Sequence, residues 1–483
     1  MMNKITSNLL IILAVITFTA CTSDFEETNS DPNRIEEISP ATLLNPIIYS
    51  LASHNAGRAN AITFDLMQVS LPYPSVSGGL HRYDVSMGIG NSSWSNYYRW
   101  LKNIQEMKAA AIINEDVNYE AIALTLNAMV YANLTDLFGP VPMTQAVMAE
   151  EGILYPEFDT QEEIYTKILA DLETANALYD TTRDMVYLQD ILFQNNVERW
   201  QKFTNSLHMR LLLRISNRQP NSFQQLADMV NNPATYPVFE STEESAILQV
   251  TGVEPNVSPW GRPQDFRLSV KIASFFIDNL NTWEDPRRPV IATTATQTDE
   301  NQNTINIGYK GIPSAYDGPE SQFTYNASTF NIEQVTNPMQ IFFLSYAEVE
   351  FIKAELAQRG FINEDAATHY ENGVIAAMEQ LEVEEIPTNY FENPKAAYNG
   401  TLERIMLQKY YALYFTDYQQ WFEYRRTGFP ELPTTEAMFN DGVMPSRFYY
   451  PTDLAIENPK GYAQGVELLG GSDDINTKVW WDQ

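Results

Sequence analysis

The chain has 483 residues with 62 acidic and 30 basic side chains, a formal net charge of −32, 12% aromatic residues and one cysteine. A nucleic-acid binder needs a basic footprint to displace the counterions of phosphate, so that class is excluded. Without a second cysteine there is no intramolecular disulfide, and a large core has to supply the stability.

Residues 1–20 read as a secretory signal. Lys4 gives a positive n-region, Leu9 to Phe18 is a short apolar run, and Thr19-Ala20 supplies small residues at the cleavage point. Cys21 follows directly and resembles the acylated cysteine of a bacterial lipobox, with Phe18 where the usual motif has Leu. The alternative is an ordinary signal peptide ending near a cysteine. Residues 21–40 are then a lipid anchor and acidic tether, and Asp24, Glu26 and Glu27 behind the cysteine resemble the signal that exports such lipoproteins to the outer face of the outer membrane. Removing residues 1–20 takes away Lys4 and no carboxylate. So acidic a body repels anionic headgroups and acidic ligands, which leaves a lipid anchor to hold it at a membrane.

Residues 41–483 read as one domain, mainly α. Asn91–Ile113 carries Trp94, Tyr97, Tyr98, Leu101, Ile104 and Met107 at helical spacing, and Tyr119–Leu137 follows as its antiparallel partner until Gly139-Pro-Val-Pro142 stops it. Further helices are expected over Thr160–Tyr179, Asn196–Ser216, Ile341–Gln358, Asp365–Leu381 and Leu402–Arg426. Pairs of such helices resemble tetratricopeptide units, so the expected fold is a tetratricopeptide-like helical-pair scaffold with long irregular loops and minor β structure. Two stretches break the pattern: Ser70–Asn91, and a loop-rich insert at about 232–338 in which Pro, Gly, Asn and Thr are interspersed with aromatics.

His54, His81, His208 and His369 lie far apart, without the spacing of a helical zinc motif, and no nucleophile elbow, P-loop or dinucleotide fingerprint occurs. No metal or cofactor is expected, and no catalytic residue is assigned. Asp317-Gly-Pro-Glu320 and Asp473-Asp474 read as solvated acidic turns rather than calcium loops.

Four stretches carry a resemblance: Asn29-Ser-Asp-Pro-Asn33, Leu134-Thr-Asp-Leu-Phe-Gly-Pro-Val-Pro142, the run from Gln408 through Trp421-Phe-Glu-Tyr-Arg-Arg-Thr-Gly-Phe-Pro430, and the tail from Arg447-Phe-Tyr-Tyr-Pro451 to Trp480-Trp-Asp482. In this order they resemble the SusD/RagB family of surface nutrient-binding lipoproteins. As local chemistry the same stretches read as a helix stop, a helix C-terminus whose cations complement the dipole, and a buried C-terminal segment. The resemblance implies a non-enzymatic lid over a SusC-like TonB-dependent transporter, anchored in the outer membrane, that captures an oligosaccharide or, in some members, a peptide.

A sugar ring offers an apolar face to stack on and hydroxyls to hydrogen-bond, so loop aromatics next to polar side chains are the candidates. These are Tyr83, Asp84 and Trp94 in the first region and Trp260, Arg262, Tyr316 and Tyr325 in the second. Trp94 opens a helix after a glycine-rich loop and reads either as a ligand platform or as a buried anchor; Arg262 reads alternatively as a brace to a carboxylate. Two other classes compete with capture. A surface glycoside hydrolase needs a coupled carboxylate pair, and an interaction scaffold would offer its helical face to the transporter alone.

Overall fold

The structure, a computed structural model, describes residues 39–483 other than residues 187 and 267. The proposed signal peptide, Cys21 and the tether to residue 38 lie outside the described residues. Pro40–Gln483 forms one compact unit. Its elements in chain order begin with α1 (Pro40–Arg58), β1 (Ser70–Pro72), α2 (Asn91–Ile113), α3 (Val117–Phe138), α4 (Gln161–Leu178), α5 (Val197–Arg214) and α6 (Asn221–Asn231). The middle of the chain holds β2 (Ala246–Val250), β3 (Val270–Ile272), α7 (Ser274–Thr282), β4 (Thr296–Thr298), β5 (Thr304–Asn306) and β6 (Met339–Leu344). After it come α8 (Tyr346–Gln358), α9 (Ala366–Glu379), α10 (Leu402–Ala412), α11 (Gln419–Thr427) and α12 (Pro459–Leu468).

The helices start where side chains satisfy their free amides. Thr160 and Glu163 form a reciprocal capping box on α4, and Asn196, Ser345, Asp365 and Thr401 cap α5, α8, α9 and α10. Each helix lies on the next from α1 to α5; α5 then packs on α8, and α8 on α9 and α10. The central α3 is long and apolar enough to cross a membrane, but 94% of that window is buried inside the body. Gly139 ends it at φ +82, and a Cβ there would come within 2.9 Å of Leu469.

Two expectations are corrected. The helix expected from Ile341 begins only at Tyr346, because Met339–Leu344 is β6, paired antiparallel with β2. A continuous apolar run has no period of its own, and burial on both faces suits a strand equally well. The helix expected over Leu402–Arg426 is two helices, broken between Ala412 and Gln419, where Phe415 (φ 66) and Asp417 (φ 30) turn the chain. The insert at 232–338 is not wholly irregular: it contains α7 and the strands β2, β3, β4 and β5, with β4 paired to β5, β3 to β1 before the insert and β2 to β6 after it.

A charge network crosses the helical core. Arg210 of α5 pairs with Glu348 of α8 (Nε–Oε1 2.8 Å), and Arg426 of α11 donates to Glu355 of α8 at 2.9 and 2.6 Å and to Glu423 at 2.9 Å. Lys409 of α10 reaches Glu423 at 2.8 Å, and Arg214 of α5 lies 3.6 Å from Asp136 and 3.7 Å from Glu423. Asp136 also accepts from Tyr165 at 2.8 Å and from the Trp481 indole at 2.6 Å. Arg425 stacks over the Trp481 ring at 4.4 Å and donates to the Asp136 carbonyl at 2.7 Å. The run is the helix C-terminus read from the sequence, with Arg425 and Arg426 in the last turn of α11 and Gly428 as its left-handed cap at φ 76; Arg426, 4% exposed, in addition pairs with Glu355 and Glu423.

Burial pushes the Glu423 carboxyl upward, but Arg426, Lys409 and Arg214 together hold it well below its ordinary value. Removing one partner of such a pair strands the other, which costs about 3–5 kcal/mol. Arg426→Ala is accordingly expected to lower the denaturant midpoint sharply, while Arg262→Ala, at the exposed surface, shifts unfolding by less than about 0.5 kcal/mol. The advantage of the parent chain over Glu423→Gln should be full above the unfolded carboxyl value of 4.5 and shrink as pH falls through the depressed folded value. Equilibrium unfolding across pH checks both.

Candidate functional site

The two loop regions far apart in sequence meet. β1 pairs antiparallel with β3, Ser70 opposite Ile272 and Pro72 opposite Val270, the Ile312 amide donates to the Ile272 carbonyl at 3.0 Å and Ser75 Oγ to the Tyr316 carbonyl at 3.4 Å, so the segment after Pro72 meets the 311–325 segment. The Ser75 amide donates to Glu320 Oε1 at 3.0 Å. Arg82, 5% exposed, donates to the Tyr316 carbonyl at 2.8 Å and to Ser75 Oγ at 3.1 Å. Gln68 lies beneath both loops. Its buried side chain donates to the Pro433 carbonyl at 2.8 Å and the Tyr83 hydroxyl at 3.3 Å, and accepts from Ser314 Oγ.

On this frame stands an aromatic group. Tyr316 meets Phe323 edge-on at 5.2 Å and Tyr73 at 6.3 Å; Phe323 lies 5.8 Å from Tyr325 and 6.4 Å from Tyr73. Tyr73, Phe323 and Tyr325 are half-buried and present ring surface, whereas Tyr316 is 8% exposed and forms the floor. Burial, with Glu320 and Tyr73 nearby, pushes the Tyr316 hydroxyl up to about 12. Lys271 sits 5.6 Å over the Tyr73 ring and Lys310 3.9 Å over the Tyr325 ring. Asp317, 3.8 Å from Arg82, and Asn326, which accepts from Lys271 at 2.8 Å, are exposed beside the rings. Flat rings next to ammonium, amide and carboxylate groups can stack a sugar and hydrogen-bond its hydroxyls.

The candidates named from sequence fall into three places. Tyr316 and Tyr325 belong to this aromatic group. Tyr83 does not present its ring: it is 2% exposed, sits at φ 60, and burial pushes its hydroxyl up to about 12, so it supports the loop from below. Asp84 is exposed and accepts from the Gly79 amide at 3.3 Å, closing the turn. Trp94 belongs to a different group, packed on Tyr98, Phe138, Phe158 and Tyr450, and lines a hollow of about 400 Å³ with Leu154 and Leu454. Trp260 is half-buried with its edge on Phe266 and Phe415, a third group, and Arg262 pairs with Asp265 at 2.7 and 2.8 Å. Sequence reasoning passed over Tyr73, Phe323, Arg82 and Gln68. The available signal was Phe323 two residues before Tyr325 in one turn-rich run, and Tyr73 between two prolines.

Among the described residues no group of three or more His, Cys, Asp or Glu is placed to hold a metal. Asp473 is taken by Arg447 at 2.6 Å, and Glu320 by Ser75.

The family model described as "Starch-binding associating with outer membrane", SusD-like, matches residues 32–451. The chain belongs to the SusD/RagB family of nutrient-binding proteins. Among solved structures, a chitin-binding protein superposes with a TM-score of 0.79 at 25% identity, over 92% of this chain and 100% of its own. A SusD homologue from Bacteroides fragilis NCTC 9343 superposes with a TM-score of 0.78 at 23% identity, over 92% and 100%. A chitin-binding SusD homologue from Flavobacterium johnsoniae gives 0.75 at 21% identity, over 92% and 98%. No curated protein matches the chain. In this SusD-like chain three of the stretches that carried the resemblance meet inside the charge network: Asp136, the Glu423–Arg426 run and Trp481.

The seat of the 311–325 segment depends on one glycine. A Cβ on Gly311 would lie 2.6–2.7 Å from the backbone of Ile272, Ala273 and Ser274, which cannot move aside. Gly311→Ala is expected to lift this segment from β3 and open it to limited proteolysis, with cleavage between 311 and 325, while the helical body resists.

Proposed function

We propose that the protein is a cell-surface lipoprotein, acylated at Cys21, that captures a neutral oligosaccharide on the Tyr73–Phe323–Tyr325 face and hands it to a SusC-like TonB-dependent transporter without making or breaking a bond. The observation that carries this reading is the pairing of two loops, about 240 residues apart, into one open aromatic face whose rings are held by the rigid helical body. The outer-membrane association of the family and the chitin-binding description of two structural neighbours support it. The net charge of −32 disfavours anionic polymers and leaves stacking on neutral rings as the main attraction.

The test is calorimetric titration of the chain from Thr22 to Gln483 with chito-oligosaccharides, malto-oligosaccharides and short peptides. Saturable heat with one sugar class, no new product, and a tenfold or greater loss in Tyr73→Ala and Phe323→Ala is the expected result. This corresponds to about 1–3 kcal/mol for an aromatic platform. Trp260→Ala is expected to bind as the parent does. Heat from peptides alone would replace the sugar by a peptide, and turnover would replace capture by hydrolysis.

A further inference from the structure

A cavity of about 860 Å³ opens beside β2 and β6, walled by the 285–290 turn after α7, the 331–334 segment and residues 381–385 after α9. Phe342 of β6, Leu381, Tyr414 and Phe415 are buried and give it an apolar lining, and Tyr309 lines it half-buried. The polar groups among these residues hold one another. The Tyr414 hydroxyl donates to Gln334 Oε1 at 2.7 Å, and the Gln334 amide donates to the carbonyls of Ile291 and Asn331, both at 2.9 Å. The hollow is thus a built one, with its shape fixed from below.

Its charge is one-sided. Glu333, Glu382, Glu384 and Glu385 line it and are exposed, while Arg288 is the one cation of the lining among the described residues. That cation is already committed. Its Nε donates to the Asp285 carbonyl at 3.0 Å, its Nη1 to Asn281 Oδ1 at 3.3 Å, and its guanidinium lies 5.6 Å over the Tyr309 ring. The Asp285 carboxylate is itself neutralised by Arg287 at 2.7 and 2.8 Å. Glu382 accepts from Gln340 Nε2 at 3.0 Å; Glu333, Glu384 and Glu385 form no ion pair among the described residues. Carboxylates around a concave surface with low-dielectric walls focus their field on whatever enters, and this field favours a cation. The amides of Gln249, Asn331 and Gln340 belong to the same lining.

We infer that this cavity is a second binding site, for a cationic amino sugar whose rings carry free ammonium groups, with Glu384 and Glu385 taking the ammonium, the amides meeting hydroxyls and Tyr309 packing on a ring. An alkyl polyamine would answer the carboxylates and leave the amides without partners. A neutral sugar would do the reverse and cover carboxylates that then lose water without compensation. A ring with hydroxyls and ammonium groups answers both, and the volume falls within the range of small-ligand sites. The site shares no residue with the Tyr73–Phe323–Tyr325 face and does not rest on what that face binds.

The experiment is calorimetric titration at pH 6, where amines and glutamates are both charged, of the chain from Thr22 to Gln483 carrying Tyr73→Ala and Phe323→Ala, so that the aromatic face contributes nothing. The titrants are a glucosamine tetramer, its fully N-acetylated counterpart and tetralysine. The glucosamine tetramer is expected to bind saturably and the other two at least tenfold more weakly. Adding Glu384→Gln and Glu385→Gln, both exposed changes, should cost about tenfold for the glucosamine tetramer while the melting transition stays where it was. Absence of saturable binding overturns the site and leaves the reading of the aromatic face intact. Equal affinity for the N-acetylated tetramer, or binding unchanged by the two glutamine replacements, also overturns it. Tetralysine binding as tightly as the sugar would replace the amino sugar by a basic peptide.

Discussion

The buried ion network around Glu423 is the constraint on which the rest of the structure depends. Charges taken out of water are tolerable only when each has its partners in good geometry, and here Arg426 satisfies two carboxylates from different helices while Glu423 satisfies three cations. Such a network fixes the mutual position of α5, α8, α10 and α11 more strictly than apolar packing does, because an apolar contact survives a shift of an ångström and a bidentate pair does not. The C-terminal Trp481 and Asp482 are drawn into it through Asp136 and Arg425. The last residues of the chain are thereby a structural member of the core.

From this frame the constraint passes outward to the loops. Tyr410 of α10 donates to the Met67 carbonyl at 2.8 Å, and Thr63 donates to the carbonyl of Asp417 at 2.7 Å, so the segment ending in Gln68 is tied to α10 and to the break between Ala412 and Gln419 that follows it. Gln68 then holds Tyr83, Ser314 and Pro433, and Arg82 holds Tyr316. The aromatic face is a surface feature supported by buried hydrogen bonds. That order of support separates stability from recognition: the rings of Tyr73, Phe323 and Tyr325 sit at the outer end of it, where exchanging one leaves the network below untouched.

Most of the helical scaffold was legible in the sequence because an amphipathic helix writes its period into the chain. Asn91–Ile113 is found over the expected residues, and α3, α4, α5 and α9 differ from expectation by a few residues at their ends. Legibility failed where period is absent. The apolar run Met339–Leu344 suits a strand or a helix, and the break after Ala412 occurs within an aromatic stretch that contains no Gly or Pro, so only the tertiary demand on Asp417 reveals it. In the candidate site, composition identified the loops and picked Tyr316 and Tyr325. It could not tell Tyr83 from Tyr73, because which of two loop tyrosines faces outward is decided by a left-handed residue and by a glutamine hundreds of residues from its other partners.

The distribution of charge explains how so acidic a protein can keep a recognition face for uncharged rings. The basic side chains near that face are already committed: Lys271 and Lys310 lie over aromatic rings, and Arg82 is bound to a backbone carbonyl. Each cation lends polarity at the edge of the rings, while the surplus carboxylates elsewhere raise a field against polyanions. An anionic polymer would meet repulsion from the molecule as a whole. A neutral ring does not, and stacking with a few hydrogen bonds is then enough to decide what is held.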